Sequence, residues 1–423
     1  MSLKGSLKVA GDKSITHRAI IFSSLSKGTT KIHDPLLGAD CISTLEIFKQ
    51  LGVTFERKEN YLIITSPGMA NFCYNKTILD AGNSGTTARL LMGVLSSLPA
   101  TLTLVGDESL SKRPMKRVTD PLAKMGATIT LTDEGTLPAT ITGHPLQGMA
   151  YELPVASAQV KSAIMLAGML AKGQTTIYEP IPTRDHTEKM FEDFQINYNK
   201  VDRVITVEGG QVPVTPGDVF VPGDISSAAF FIVAALLVPG SEITIENVGI
   251  NETRSGIIDV VRAMNGNLKI VNERYFGGEL VADLQIQYTK DLVATTIEGE
   301  MIPRLIDELP ILALLATRAK GVTVIKDAEE LKVKETNRID VTVNQLKAIG
   351  ANIESTEDGM IIKGNVEASF HSAHVFSHKD HRMAMMLCVA SLLTEEPLQI
   401  EDVESMVISY PDFLKDLNAL LEN

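Results

Sequence analysis

Positively charged side chains beside small polar ones recur wherever an apolar helical run begins. Gly11-Asp12-Lys13-Ser14 opens one such run, with Arg18 one turn on. Asn83-Ser84-Gly85-Thr86 and Ser157-Ala158-Gln159-Val160-Lys161 open two more, and Lys379-Asp380-His381-Arg382 another. A second set of starts carries Arg113, Lys116 and Arg117, then Arg184 and His186, then Arg254, then Lys334, Glu335 and Arg338. A helix N-terminus already presents unpaired N–H groups and a partial positive charge, so lysine and arginine there work against the helix dipole. Helix stability does not explain the pattern; binding an anion does. The ligands so implied carry several negative charges, as phosphate and carboxylate. Asp307, Glu308 and Glu335 interrupt the cations. Carboxylates would repel such a ligand, so they call for a role other than binding.

Taken singly, each motif has a plainer reading. Gly11-Asp12-Lys13-Ser14 can be a capped helix start, Asn83-Ser84-Gly85-Thr86 a turn, and Asp307-Glu308 stabilising first-turn acids. His381 can be a core histidine, and Met383 and Met385 beside it read as core filler. The repeated cationic starts are what these readings leave over.

The elements that carry these residues repeat. Gly11-Asp12-Lys13-Ser14 running into Ala19-Ile20-Ile21-Phe22 matches Gly223-Asp224-Ile225-Ser226 running into Ala228-Ala229-Phe230-Phe231. Comparable starts recur about every 70 residues, a long period for one supersecondary unit. Helix-to-strand junctions follow at Leu51-Gly52-Val53-Thr54, Met125-Gly126-Ala127-Thr128 and Ile349-Gly350-Ala351-Asn352. Each unit reads βαβαββ, six in all. The sixth is expected to stop after its second helix, at Asn423, with no strand following. The strand Leu3 to Val9 is expected to join the C-terminal sheets. The expected result is an α/β protein of two similar domains facing each other across a cleft: residues 12–222, and residues 1–11 with 223–423.

Composition narrows the function classes. A chain of 423 residues exceeds what one hydrophobic core organises. The net charge of -13, with no Trp and 5% aromatics, argues against a nucleic-acid binder. Cys41, Cys73 and Cys388 have no CxxC spacing and read as reduced packing residues of a cytoplasmic protein. Asn75-Lys76-Thr77 and Asn251-Glu252-Thr253 match the glycosylation sequon but carry no weight there. No charged-then-apolar leader opens the chain, and the run Ala228 to Val238 is too short to span a bilayer. No membrane partner, cofactor or metal is expected, and a monomer is.

Seven segments in order resemble the EPSP synthase (3-phosphoshikimate 1-carboxyvinyltransferase) family of enolpyruvyl transferases. They are Gly11 to Arg18, Gly82 to Arg89, Lys112-Arg113-Pro114-Met115, Ser157 to Lys161, Ile306 to Pro310, Lys334 to Arg338, and Asp380 to Met385. The resemblance implies two inside-out α/β barrels of three βαβαββ units each. It implies transfer of the enolpyruvyl group of phosphoenolpyruvate to shikimate 3-phosphate. By it, Lys13, Ser14, Arg18, Ser157, Gln159, Asp307 and Lys334 hold shikimate 3-phosphate. Lys13, Asn83, Gly85, Arg113, Gln159, Arg338 and Arg382 hold phosphoenolpyruvate. Asp307 is the implied base, with Lys13 and Glu335 serving the donor's C3.

Some positions depart from the family pattern. Ala10 stands where proline is usual, and the N-terminal strand looks a few residues short. Ile408 stands where other members carry a donor-touching lysine. Ala158, Lys161 and Arg117 resemble the class often tolerant of glyphosate, yet Gly85 is retained where some tolerant members have alanine. The enolpyruvyl transferases acting on UDP-N-acetylglucosamine are the enzyme alternative. Their loop cysteine has no counterpart between Gly106 and Arg113, where Glu108 stands, and their Gly-Ala-Lys-Asn start is unlike Asp12-Lys13-Ser14. A phospholigand-binding repeat protein is the non-enzymatic alternative.

Overall fold

The computed structural model describes residues 2–367 and 369–422. The chain forms two compact units. The first comprises residues 11–221 with the tripeptide 276–278; the second comprises the remaining described residues. The expected ends, Met1 and Asn423, lie outside the described residues.

In the first unit the helices are α1 (Lys13–Leu25), α2 (Ala39–Gln50), α3 (Gly85–Leu95), α4 (Lys116–Lys124), α5 (Ala158–Leu170) and α6 (His186–Asp193). In the second they are α7 (Ile225–Leu237), α8 (Gly256–Ala263), α9 (Ile302–Leu305), α10 (Leu309–Ala316), α11 (Arg338–Ala348), α12 (His381–Ser391) and α13 (Phe413–Leu420). Every residue of α7 and α10 is buried, as suits segments that are apolar throughout except for Ser226 and Ser227 in the first turn of α7. Their bilayer-like hydropathy is thus spent on a protein core, and no helix among the described residues is long and apolar enough to cross a membrane. Each unit has its own apolar core.

Sheets cover these helices: four of four strands, one of five and one of two among the described residues. Strand Tyr61–Pro67 alternates buried and open positions, so each sheet puts one face on the core. The other face carries threonine pairs across the ladder, such as Thr101 with Thr142 and Thr103 with Thr140. Two strands sit in sheets far from their sequence neighbours. Ser2–Lys8 runs parallel to Glu242–Gly249 in the second unit, and Asp218–Phe220 runs parallel to Lys27–His33 in the first. One expectation is corrected here. A strand does follow the last helix: Leu421–Glu422 pairs antiparallel with Ser2–Lys8, because that strand would otherwise leave a row of edge N–H and C=O groups unpaired.

Side-chain caps fix where α1, α3, α5, α7 and α12 begin. Asp12 accepts from the Ile15 N–H at 2.8 Å, Ser84 from Thr87 at 3.1 Å, and Ser157 from Val160 at 3.4 Å. Asp224 accepts from Ser226 at 2.8 Å, and Asp380 from Arg382 at 3.0 Å. Helices α3 and α5 cross so closely that a Cβ on Gly93 would lie 2.2 Å from the Ala163 carbonyl oxygen. Backbone cannot yield that distance cheaply. Gly93→Val is therefore expected to destabilise the first unit by about 3 kcal/mol or more. Urea unfolding followed by circular dichroism at 222 nm reads it, since the chain has no Trp to report.

Candidate active site

Asp307 immediately precedes Glu308, the cap position of α10. Three cations from two segments surround its carboxylate. Arg338 Nη1 donates to Oδ1 at 3.3 Å, Lys334 Nζ stands 3.9 Å from Oδ1, and Arg382 Nη2 stands 3.7 Å from Oδ2. Lys334 and Glu335 lie in the loop ahead of α11, Arg338 is its first residue, and Arg382 is in the first turn of α12. Arg338 is buried, and its fork makes four hydrogen bonds to carboxylates: two to Asp380 and one each to Asp307 and Glu335, the last at 2.6 Å. Burial works against its charge, but Asp380, Glu335 and Asp307 outweigh it and hold its pKa above the ordinary arginine value. Asp380 titrates lower than usual: burial raises it, and the Arg338 guanidinium more than reverses that. Burial, aided by Arg338, pushes Lys334 below the ordinary lysine value despite Asp307 and Glu330.

The first unit gathers a complementary set. Lys13, the first residue of α1, pairs with Asp40 of α2 at 3.0 Å. Gln159 accepts from Arg89 Nη1 at 2.6 Å and donates to Thr86 at 3.1 Å, which joins the start of α5 to α3. A Cβ on Gly85 would lie 3.0 Å from Arg113 Nη1 and 3.2 Å from Arg89 Nη1, so two guanidinium groups lie against this glycine. Asn83 donates to Asp107 at 2.7 Å. The side chain of Ser157 is committed to capping α5. Arg18 is buried, donating to Thr187 at 2.8 Å, the Ser14 carbonyl at 2.9 Å and Ser162 at 2.7 Å. Behind these, His17 contacts Thr44 at 2.8 Å and is kept neutral by burial, with Lys13 and Arg18 adding to the effect.

Part of the cationic pattern proves to be internal architecture. Lys161 is wholly buried and points away from the helix start, to Glu188 at 2.8 Å and Glu179 at 3.2 Å. Burial alone would push its pKa down; the two glutamates outweigh this and hold it above the usual value. Arg254 is likewise buried, joining Asp224 at 3.1 Å, Ser226 at 2.8 Å and Glu308 at 3.4 Å. Glu308 also accepts from Ser226 and faces Arg382 at 3.9 Å. Lys379 is exposed with φ 61. Ile408 ends a 3-10 turn, Val403–Ile408, half-buried and uncharged. The cysteine expectation holds for Cys41 and Cys388, which are buried, but Cys73 is exposed. Met383 and Met385 are core residues.

The family model for EPSP synthase (3-phosphoshikimate 1-carboxyvinyltransferase) matches residues 1–417. The chain belongs to the EPSP synthase family. A 3-phosphoshikimate 1-carboxyvinyltransferase of Bacillus velezensis is 50% identical over 420 residues, 99% of this chain and 97% of that protein. One of Staphylococcus epidermidis is 51% identical over 422 residues, 100% of this chain and 96% of that protein. The solved EPSP synthase of Acinetobacter baumannii superposes with a TM-score of 0.88 at 41% identity, covering 99% of this chain and 96% of that one. The enolpyruvyl transferase NikO of Streptomyces tendae, 17% identical with a TM-score of 0.80, shares the fold.

Within this EPSP synthase fold, the residues that sequence reading passed over are mostly carboxylates and one arginine. Asp380 was visible only as a cap, yet it anchors Arg338. Arg89 lies four residues beyond Gly85, on the same helix face, a spacing that brings side chains together. Asp40 had no local signal at all, being 27 positions from the lysine it pairs with.

The Lys161 site gives a test of the structural reading. Lys161→Met should remove the nearest cation from the buried Glu179 and Glu188, leaving Glu188 only Lys200 at 3.4 Å, and cost about 3–5 kcal/mol. The loss should shrink as pH is lowered and a carboxyl takes up a proton; chemical unfolding at neutral and mildly acidic pH measures both.

Proposed function

We infer that this chain is a 3-phosphoshikimate 1-carboxyvinyltransferase of the shikimate pathway, EC 2.5.1.19. It transfers the carboxyvinyl group of phosphoenolpyruvate to shikimate 3-phosphate and releases phosphate. The observation that carries the reading at this site is Asp307, a carboxylate with cations at 3.3, 3.7 and 3.9 Å. A site built solely to hold anions gains nothing from a carboxylate there, whereas a reaction needing a positioned base does.

The chemistry proceeds by addition and elimination. The 5-hydroxyl of shikimate 3-phosphate attacks C2 of the enol, Asp307 takes the hydroxyl proton, and a proton is delivered to C3, giving a tetrahedral ketal phosphate. Loss of a proton from the new methyl group then expels phosphate and restores the double bond. Lys13 and Glu335 share the two proton transfers at C3. Lys13, Ser14, Arg18, Ser157, Gln159, Asp307 and Lys334 bind shikimate 3-phosphate. Lys13, Asn83, Gly85, Arg113, Gln159, Arg338 and Arg382 bind phosphoenolpyruvate, with the arginines suited to bidentate carboxylate and phosphate contacts. Arg338 already spends most of its donors on carboxylates, so its share in donor binding falls to a remaining Nη1 N–H or to displacement of Glu335.

The fold reading is two inside-out α/β barrels of three βαβαββ units each. The enzyme acts as a cytoplasmic monomer without a cofactor.

Asp307→Ala should lower kcat by roughly two to four decades while leaving donor KM within a few-fold, as removal of a general base does. Arg382→Ala should instead cost about 3–5 kcal/mol, roughly two to three and a half decades in donor affinity. Phosphate release dependent on both substrates measures each. Unchanged release in both Asp307→Ala and Glu335→Ala would remove these carboxylates from the chemistry, whereas no release from the unaltered chain would leave only a phospholigand-binding protein. The depressed Lys334 gives a pH signature: its cation is lost as pH rises, so kcat/KM should fall at a pH below ~10.4, the ordinary lysine value. Lys334→Arg should move that alkaline limb upward.

A further inference from the structure

The second unit contains a cavity that the catalytic groups do not line, with a volume of 270 Å³. Three mutually packed helices end at it: α7 through Leu237, α10 through Arg318 two residues past its end, and α12 through Leu392 and Leu393. The same α10 and α12 hold Asp307 and Arg382 at their opposite ends. One helix length of α10, ~12 Å at 1.5 Å per residue, therefore separates the cavity from the catalytic cluster.

Aliphatic residues share the walls with Tyr288, Thr289 and Thr394, and three charged residues join them: Arg318, Lys290 and Glu395. Arg318 is the unusual one. Its Nη1 donates to the Val366 carbonyl at 3.2 Å and its guanidinium lies over the Phe370 ring at 4.7 Å. Among the described residues it has no carboxylate partner, and Nη2 has no protein acceptor. Burial lowers its pKa from the arginine norm, outweighing the opposing effects of Tyr288 and Glu367. The Val366 carbonyl belongs to the turn after strand Met360–Gly364, so the Nη1 bond ties Arg318 to that turn, while its Nε is buried with no hydrogen-bond partner. Lys290 and Glu395 are exposed.

We propose that this cavity binds a free α-amino acid with an apolar side chain. The carboxylate pairs with Nη2 of Arg318 and with Lys290. The ammonium faces Glu395 and the helix C-terminal ends, whose dipoles favour positive charge. The side chain packs on Leu237, Leu392 and Leu393. The volume approaches the lower end of small-molecule sites and suits a ligand of about this size.

Isothermal titration of the full chain with L-phenylalanine tests the assignment, with 3-phenylpropionate and phenethylamine as probes lacking one charge each. L-Phenylalanine is expected to bind saturably and more tightly than either probe, with no displacement by saturating shikimate 3-phosphate and phosphoenolpyruvate. Arg318→Gln and the surface variant Lys290→Glu should each weaken binding by ~10-fold or more, as loss of a charge-assisted contact does, with basal kcat unchanged. Four results overturn the proposal: no saturable binding up to ~10 mM, a range reaching well past millimolar dissociation constants; displacement by the substrates; wild-type affinity in Lys290→Glu; or equal binding of 3-phenylpropionate, which removes the ammonium from the site.

Discussion

Arg338 is a guanidinium with 1% of its side chain exposed, and Asp380, Asp307 and Glu335 are what allow it to remain charged there. Removing an arginine from water costs several kcal/mol, recovered only when its donors meet acceptors in good geometry. Each carboxylate that satisfies it belongs to a different segment. Asp380 caps α12, Asp307 precedes α10, and Glu335 sits one turn before Arg338 itself. Satisfying the arginine therefore also sets the spacing of three helix starts. The acid proposed for catalysis is held in place by the group it neutralises.

The same arrangement recurs without chemistry. Arg254 ties Asp224, Ser226 and Glu308 together, and Lys161 ties Glu179 to Glu188. In each case a cation near a helix start is answered by buried carboxylates from other elements. Accessibility separates the two uses. Lys13, Lys334 and Asp307 retain 17%, 20% and 12% of side-chain exposure, whereas Lys161 retains none. The sealed Lys161 holds the fold, while Lys13 and Lys334 are open enough to meet a substrate.

Rigidity follows from how the helices are seated. Caps fix the first turn of α1, α3, α5, α7 and α12, all-apolar surfaces bury α7 and α10, and small residues such as Gly93 let α3 and α5 approach at backbone distance. Side chains projecting from these starts inherit that rigidity, which suits a reaction requiring two anions to be oriented together.

Apolar periodicity and Gly-Asp-x-Ser starts were enough to locate the core helices, because capping and burial are local properties of ten or so residues. They were also enough to single out Lys13, Arg113, Asp307, Lys334, Glu335, Arg338 and Arg382, since charge placed against a helix dipole is conspicuous in a linear chain. What no linear reading could supply was the partner of each charge. Asp40 and Lys13, Asp380 and Arg338, Arg89 and Gln159 are 27, 42 and 70 positions apart, and nothing local links them. The short strand after α13 escaped for the same reason: its pairing depends on the free edge of Ser2–Lys8. Sequence by itself decided which residues are charged and where helices start. Tertiary structure decided which charges are sealed into the core and which stay open, because desolvation is set by neighbours brought in from far along the chain.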